Sequence, residues 1–167
     1  MSKYIIETNH LTKQYGTQKS VADLNIHVEK GKIYGLLGRN GAGKTTTMKM
    51  LLGLAQPTSG EITIWGKPLK GNEKKILPRI GSLIEAPGFY PNLTATENLR
   101  IFATLRGVPN RHAIKDALDL VGLPYKDKKL FSQYSLGMKQ RLAFALAILL
   151  DPELLILDEP INGLDPI

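Results

Sequence analysis

The residues with the plainest chemical purpose are Gly38, Arg39, Asn40, Gly41, Ala42, Gly43, Lys44 and Thr45, with Thr46 directly after them. Their order is G-x-x-x-x-G-K-[ST], the pattern of a phosphate-cradling loop. Glycines let the backbone approach phosphate oxygens and turn N–H groups toward them. A helix starting near Gly43 adds the positive end of its dipole. Lys44 would reach the β- and γ-phosphates of a nucleoside triphosphate, and Thr45 would hold its Mg²⁺. At average residue usage, a chance match in such a chain is on the order of half a percent. The plain alternative is a glycine-rich turn that only starts a helix. An apolar run before the loop and a helical pattern after it favour the phosphate site.

Two more segments carry chemistry. Leu154 to Leu157 is apolar and is followed by Asp158 and Glu159. A strand ending in two acids is common, but paired with a phosphate loop it gains meaning. Asp158 would hold Mg²⁺ through water, and Glu159 would act as general base on the attacking water. Tyr134-Ser135-Leu136-Gly137-Met138-Lys139-Gln140-Arg141 opens a long helix. Ser135 suits its N-cap, and a helix N-terminus suits anionic oxygens.

The positioning elements follow from periodicity and turn residues. Tyr4 to Thr8 and Leu11 to Tyr15 read as short strands, and Val21 to Val28 as an alternating one. Ile33 to Leu37 reads as a buried central strand. A helix is expected from about Gly43 to Leu52, then a strand from Glu61 to Trp65. From about Glu73 the pattern turns mostly helical, over Glu73 to Pro78, Thr94 to Arg106, Arg111 to Val121 and Leu136 to Leu150. Thr94 with Glu97 forms a capping box. Leu154 to Leu157 reads as a second buried strand.

Length and composition set the limits. A chain of 167 residues with 43% hydrophobic content fits one globular domain. Its net charge of +7 suits phosphates, nucleic acid or an anionic membrane, or simply solubility. With no cysteine, disulfides and thiolate metal sites are excluded. The longest apolar stretch, Leu142 to Leu150, is far shorter than the roughly 20 residues that span a bilayer. Work at a membrane would require another chain for the membrane part.

The motif set resembles that of ABC-transporter ATPases. Tyr134 to Arg141 resembles the family's signature segment. Tyr15, in Thr12-Lys13-Gln14-Tyr15-Gly16, matches the aromatic that stacks on adenine. Asn162-Gly163-Leu164-Asp165 resembles the D-loop. The resemblance implies an α/β fold with a RecA-like P-loop NTPase core, an N-terminal antiparallel β-subdomain and a helical subdomain. It implies one domain over 1–167: β-subdomain and phosphate-loop core at 1–84, helical part at 85–150, acidic strand and D-loop at 151–167. It further implies a head-to-tail pair of ATPase subunits holding two ATP with Mg²⁺. Ser135 and Gly137, with Leu136 and Met138, would meet the γ-phosphate held by Lys44 of the second copy, and Asp165 would line the site. A membrane-spanning permease would contact the region Glu85 to Pro91 at the cytoplasmic face of the membrane. No nucleic acid is expected.

Three departures from the family pattern stand out. Leu136 occupies a usual glycine position. Glu85 occupies the usual glutamine position, and a carboxylate there can also serve the metal. Together with this form of the signature, Glu85 resembles the bacitracin and lantibiotic self-protection exporters, which implies export of a peptide antibiotic or similar amphiphile. The family's switch histidine lies on a strand well past the D-loop, and His10, His27 and His112 do not match it. The chain thus reads as a C-terminally truncated domain that binds ATP and turns it over poorly. The alternative is a non-transport ABC ATPase acting on DNA or ribosomes, which the basic charge would suit. The DNA-repair type carries a long coiled coil in place of the compact insert here, and the translation type carries two ATPase domains.

Among other residues, Phe89 and Tyr90 suit an interface or a small local core equally. Lys67, Lys70, Lys74, Lys75 and Arg79, and likewise Lys126, Lys128 and Lys129, read as solvated faces more than as lipid contacts. Trp65 reads as packed.

Overall fold

The computed structural model describes residues 3–107 and 112–159. It forms two compact units that divide in sequence between Pro78 and Arg79. Residues 80–83, expected with the phosphate-loop core, fall in the second unit.

The first unit is built on an antiparallel sheet. Strand β1 (Tyr4–Tyr15) pairs with β2 (Gln18–Leu24), β3 (His27–Glu29) and β4 (Ser59–Ile64), and β5 (Lys67–Pro68) extends β4. The two strands expected over residues 4–15 are one strand with a bulge. His10 takes φ 49° in its middle, and the pairing with β4 slips between Asn9 and Thr12. Gly60 faces the bulge, and a Cβ there would lie 2.4 Å from the His10 carbonyl oxygen. The single strand expected from Val21 to Val28 breaks into β2 and β3. Buried Thr8 spans the break: its hydroxyl donates to the Leu24 carbonyl and accepts from the Ile26 amide, both at 2.9 Å.

The apolar residues of these strands make the core, with Leu11 and Ile64 fully buried. Helix α1 (Lys44–Leu51) adds Thr47, Met50 and Leu51. A single-turn helix, α2 (Glu73–Ile76), adds Ile76.

One expectation fails here. Residues 33–37 are irregular, with Ile33 and Leu37 at 104% and 93% exposure. A buried strand of this kind needs hydrogen-bond partners along its edges and cover on both faces. No strand pairing among the described residues includes this run.

Among its described residues, the second unit combines a parallel strand pair with three α-helices. Strand β6 (Ile80–Leu83) pairs in parallel with β7 (Leu154–Leu157). The sequence showed β7 but not β6, whose four residues include a glycine and a serine and follow a helical pattern. Gly81 lets β6 pack closely, since a Cβ there would lie 2.2 Å from the Ala147 carbonyl oxygen. Helices α3 (Ala95–Leu105), α4 (Ala113–Leu120) and α5 (Leu136–Ile148) enclose a core centred on fully buried Leu99, Leu118 and Leu142. Thr94 and Glu97 form the expected capping box at α3. No helix among the described residues is long and apolar enough to cross a membrane.

Candidate functional site

The phosphate loop is organised by its own residues. The Ala42 amide donates to the Arg39 carbonyl at 3.0 Å. The Lys44 ammonium donates to the Gly38 and Arg39 carbonyls at 2.7 and 3.1 Å, which holds it folded over the loop. Gly41 and Gly43 take φ of 81° and 86°, a left-handed backbone that favours glycine. Gly43 is the N-cap of α1 and makes no side-chain cap. A Cβ at Gly43 would lie 2.2 Å from the Ser20 carbonyl oxygen. A helix start with no side-chain cap, an ammonium folded over the loop and adjacent threonine hydroxyls fit a phosphate chain.

Tyr15 reaches this neighbourhood through the β1–β2 hairpin. It pairs with Gln18 beside the turn. Two residues further on, the Ser20 hydroxyl bonds the Thr46 hydroxyl at 3.0 Å. The Tyr15 ring is 54% exposed, with the Lys13 ammonium 4.8 Å from its centroid. An exposed ring of this kind can take a base on its face.

The acidic residues emerge at the carboxyl ends of β6 and β7. Leu83 pairs with Leu157, and the Asp158 amide donates to the Leu83 carbonyl at 2.8 Å, carrying the ladder one step further. Glu85 and Glu159 therefore leave adjacent strands at matching steps. Both take left-handed φ, 65° and 45°, at a cost of about 1–3 kcal/mol each. Ligands of parallel α/β sheets bind outside the carboxyl ends of strands, and strain concentrated there fits a site. Glu85 and Glu159 are exposed and Asp158 is half-buried. No group of three or more His, Cys, Asp or Glu among the described residues could hold a metal ion.

Ser135 caps α5, its hydroxyl accepting from the Met138 amide at 3.3 Å. Leu136 is 65% exposed, so the leucine in the glycine position points out of the core. Gly137 and Met138 are half-buried. Asp165 and the rest of Asn162 to Asp165 lie outside the described residues.

Of the remaining candidates, Phe89 is buried against Phe102 and Phe131, while Tyr90 is 51% exposed. The local-core reading holds for Phe89 alone. Trp65 is half-buried. Arg79 is not part of a free basic face: it makes a two-pronged ion pair with Glu153 at 2.7 and 2.6 Å. The hydrogen bond to Glu153 raises its pKa further. Sequence reasoning missed Asn98, a fully buried polar side chain that holds the loop after Glu85. Its only signal was a polar residue inside the apolar pattern of α3.

A family model described as "ABC transporter" matches residues 21–162. The bacitracin transport ATP-binding protein BcrA of Bacillus licheniformis is 62% identical over 163 residues, covering 98% of this chain and 53% of that protein. The lantibiotic transport ATP-binding protein SrtF of Streptococcus pyogenes is 45% identical over 163 residues, covering 98% of this chain and 69% of its own length. The chain thus spans about half the length of the first of these relatives. Among solved structures, cbiO1 from Clostridium perfringens, part of the ABC transporter complex cbiONQ, aligns with TM-score 0.85 at 28% identity. That alignment covers 99% of this chain and 69% of cbiO1.

Proposed function

The chain belongs to the ABC transporter family, and on that premise we propose that it is the ATP-binding part of a transporter that exports a peptide antibiotic or a similar amphiphile. The observation that carries the ATP site is Gly43. It is left-handed, leaves no room for a Cβ, and starts α1 without a side-chain cap. The substrate class is supported by the bacitracin and lantibiotic relatives and by Glu85 in place of glutamine.

The roles follow from the residue chemistry. Lys44 leaves its loop carbonyls for the β- and γ-phosphates, and the loop from Gly38 to Gly43 wraps them. Tyr15 stacks on the adenine. Thr45, Asp158 and Glu85 would hold Mg²⁺, which neutralises charge on the phosphates. Glu159 takes the proton of the attacking water. Ser135 and Gly137 complete the site of a second copy in a head-to-tail pair, and Asp165 lines it. A permease meets the exposed segment around Tyr90, which places the protein at the cytoplasmic face of a membrane. By themselves, these 167 residues bind ATP and turn it over poorly.

Calorimetry with ATP and Mg²⁺ tests the reading. The chain is expected to bind. Lys44→Ala should weaken binding about ten- to a hundredfold, the worth of one hydrogen bond to a charged group. Equal binding by both forms would refute the phosphate-loop assignment. A turnover rate matching a complete relative, abolished by Glu159→Gln, would overturn the expectation of poor turnover. Unchanged peptide resistance in cells carrying Glu85→Gln would sink a special role for that carboxylate.

A further inference from the structure

The loop after Glu85 and the turn before Ser135 are bonded into one bracket, and Asn98 is its pin. Asn98 sits in the first turn of α3 and is fully buried. Its amide oxygen accepts from the Tyr90 amide at 2.8 Å. Its amide nitrogen donates toward the carbonyls of Tyr90, Leu93 and Thr94 at 3.1, 3.3 and 3.0 Å. A buried polar side chain satisfied on every side rigidifies what it touches.

The loop held this way grips the turn that leads into α5. The Phe131 amide donates to the Leu93 carbonyl at 2.8 Å, and the Ser132 amide to the Pro91 carbonyl at 2.9 Å. Thr94 and Leu130 form an antiparallel bridge. Aromatic rings run beside these bonds: Phe89 lies 5.1 Å from Phe131, and Phe131 lies 6.1 Å from Tyr134. Tyr134 immediately precedes Ser135, the cap of α5. At the other end of the bracket, Tyr90 is half exposed.

We infer that Asn98 is a positioning residue that locks the Tyr90–Thr94 loop to the Phe131–Tyr134 turn, so that a partner displacing the exposed loop moves the Ser135 cap. The consequence for nucleotide rests on the role proposed for Ser135, whereas the mechanical link needs no nucleotide. No other residue type serves as well. Aspartate keeps the acceptor for Tyr90 but loses the donations, and leucine leaves the Tyr90 amide without the acceptor it has here.

The chain has no cysteine, so Ser135→Cys places a single thiol at the cap. Its rate of modification by a maleimide reads the local electrostatics of the helix start. In that background, Asn98→Ala should change the rate by about fivefold or more, the lower end of energetic coupling between sites. Ile156→Ala, on β7, serves as a control with comparable loss of Tm and should change the rate by less than about twofold. Equal shifts in both variants, or no shift in Asn98→Ala, would overturn the inference. If Asn98→Ala does not fold, Asn98→Asp is measured in its place, with a shift supporting the link and none refuting it. Failure of the ATP-site reading would show separately, as no ATP binding by the unaltered chain.

Discussion

The phosphate loop and the acidic strand ends place their candidate residues by different means. Around the loop, most bonds are local: Lys44 to Gly38 and Arg39, Ala42 to Arg39, Thr47 to Gly43, with the Ser20–Thr46 hydroxyl bond reaching β2. The apolar run just before it, 33–37, has no strand partner among the described residues, yet the turn and the helix start are formed. At the acidic edge, Asp158 and Glu159 depend on the pairing of β7 with β6, which is remote in sequence. A turn and a helix close with neighbours in the chain, whereas a strand exists only when another strand takes its N–H and C=O groups. The first arrangement should tolerate damage elsewhere in its unit, and the second should not.

Substitutions can break or sharpen this contrast. Leu142→Ala, at the centre of the second core, should cost about 2–5 kcal/mol. It should release the β6–β7 edge, seen as faster amide exchange at Asp158. Retained protection there would mean that the strand pair stands without its helices. Next come the two glycines with no room for a Cβ. Gly43→Ala and Gly81→Ala should each cost about 1–3 kcal/mol from overlap with a carbonyl, each in its own unit. Proteolysis mapped by mass spectrometry should show cleavage confined to 3–78 for the first and to 79–159 for the second.

Thr94→Ala should cost about 1 kcal/mol by removing the α3 cap, measured by urea unfolding. The same cap carries a pH signature. The backbone hydrogen bond from Thr94, then its side-chain bond, hold the Glu97 carboxyl below its ordinary pKa. A depressed carboxylate stabilises above its unfolded-state pKa, and that contribution is lost as pH falls through the folded-state value. The protection factors of the α3 amides, which remove the intrinsic pH dependence of exchange, should therefore fall on acidification, and Glu97→Gln should flatten that dependence. The smallest effect is expected at the unpaired run. Leu37→Ser should change stability by no more than about 0.5 kcal/mol, as at other exposed sites. A large loss would show that 33–37 is packed in solution.

Legibility in the sequence followed the range of the interactions. The phosphate loop, α1, the Thr94–Glu97 box and the Ser135 cap were readable because each depends on residues a few positions apart, whereas β7 showed through its apolar run alone, its partner β6 being remote in sequence. The hairpin carrying Tyr15 was readable as strands but not as one bulged strand, since the bulge is set by Gly60 lying against His10. Strand β6 left no signal of its own. Glu85 could be matched to a motif, but its pairing beside Glu159 and the left-handed turn shared by both could not be foreseen. Asn98 looked like an interruption of a helical pattern.

By itself, the sequence determined the chemical inventory: glycines where the backbone must be left-handed, one lysine and three threonines at a helix start, and a serine to cap α5. Those are steric and hydrogen-bonding properties of residue types at close spacing. Tertiary structure alone decided which strand lies beside the acidic one, that the 33–37 run is irregular and exposed, and that Asn98 ties the loop after Glu85 to the turn before Ser135. These depend on partners brought together from distant parts of the chain, and no short window of sequence encodes them.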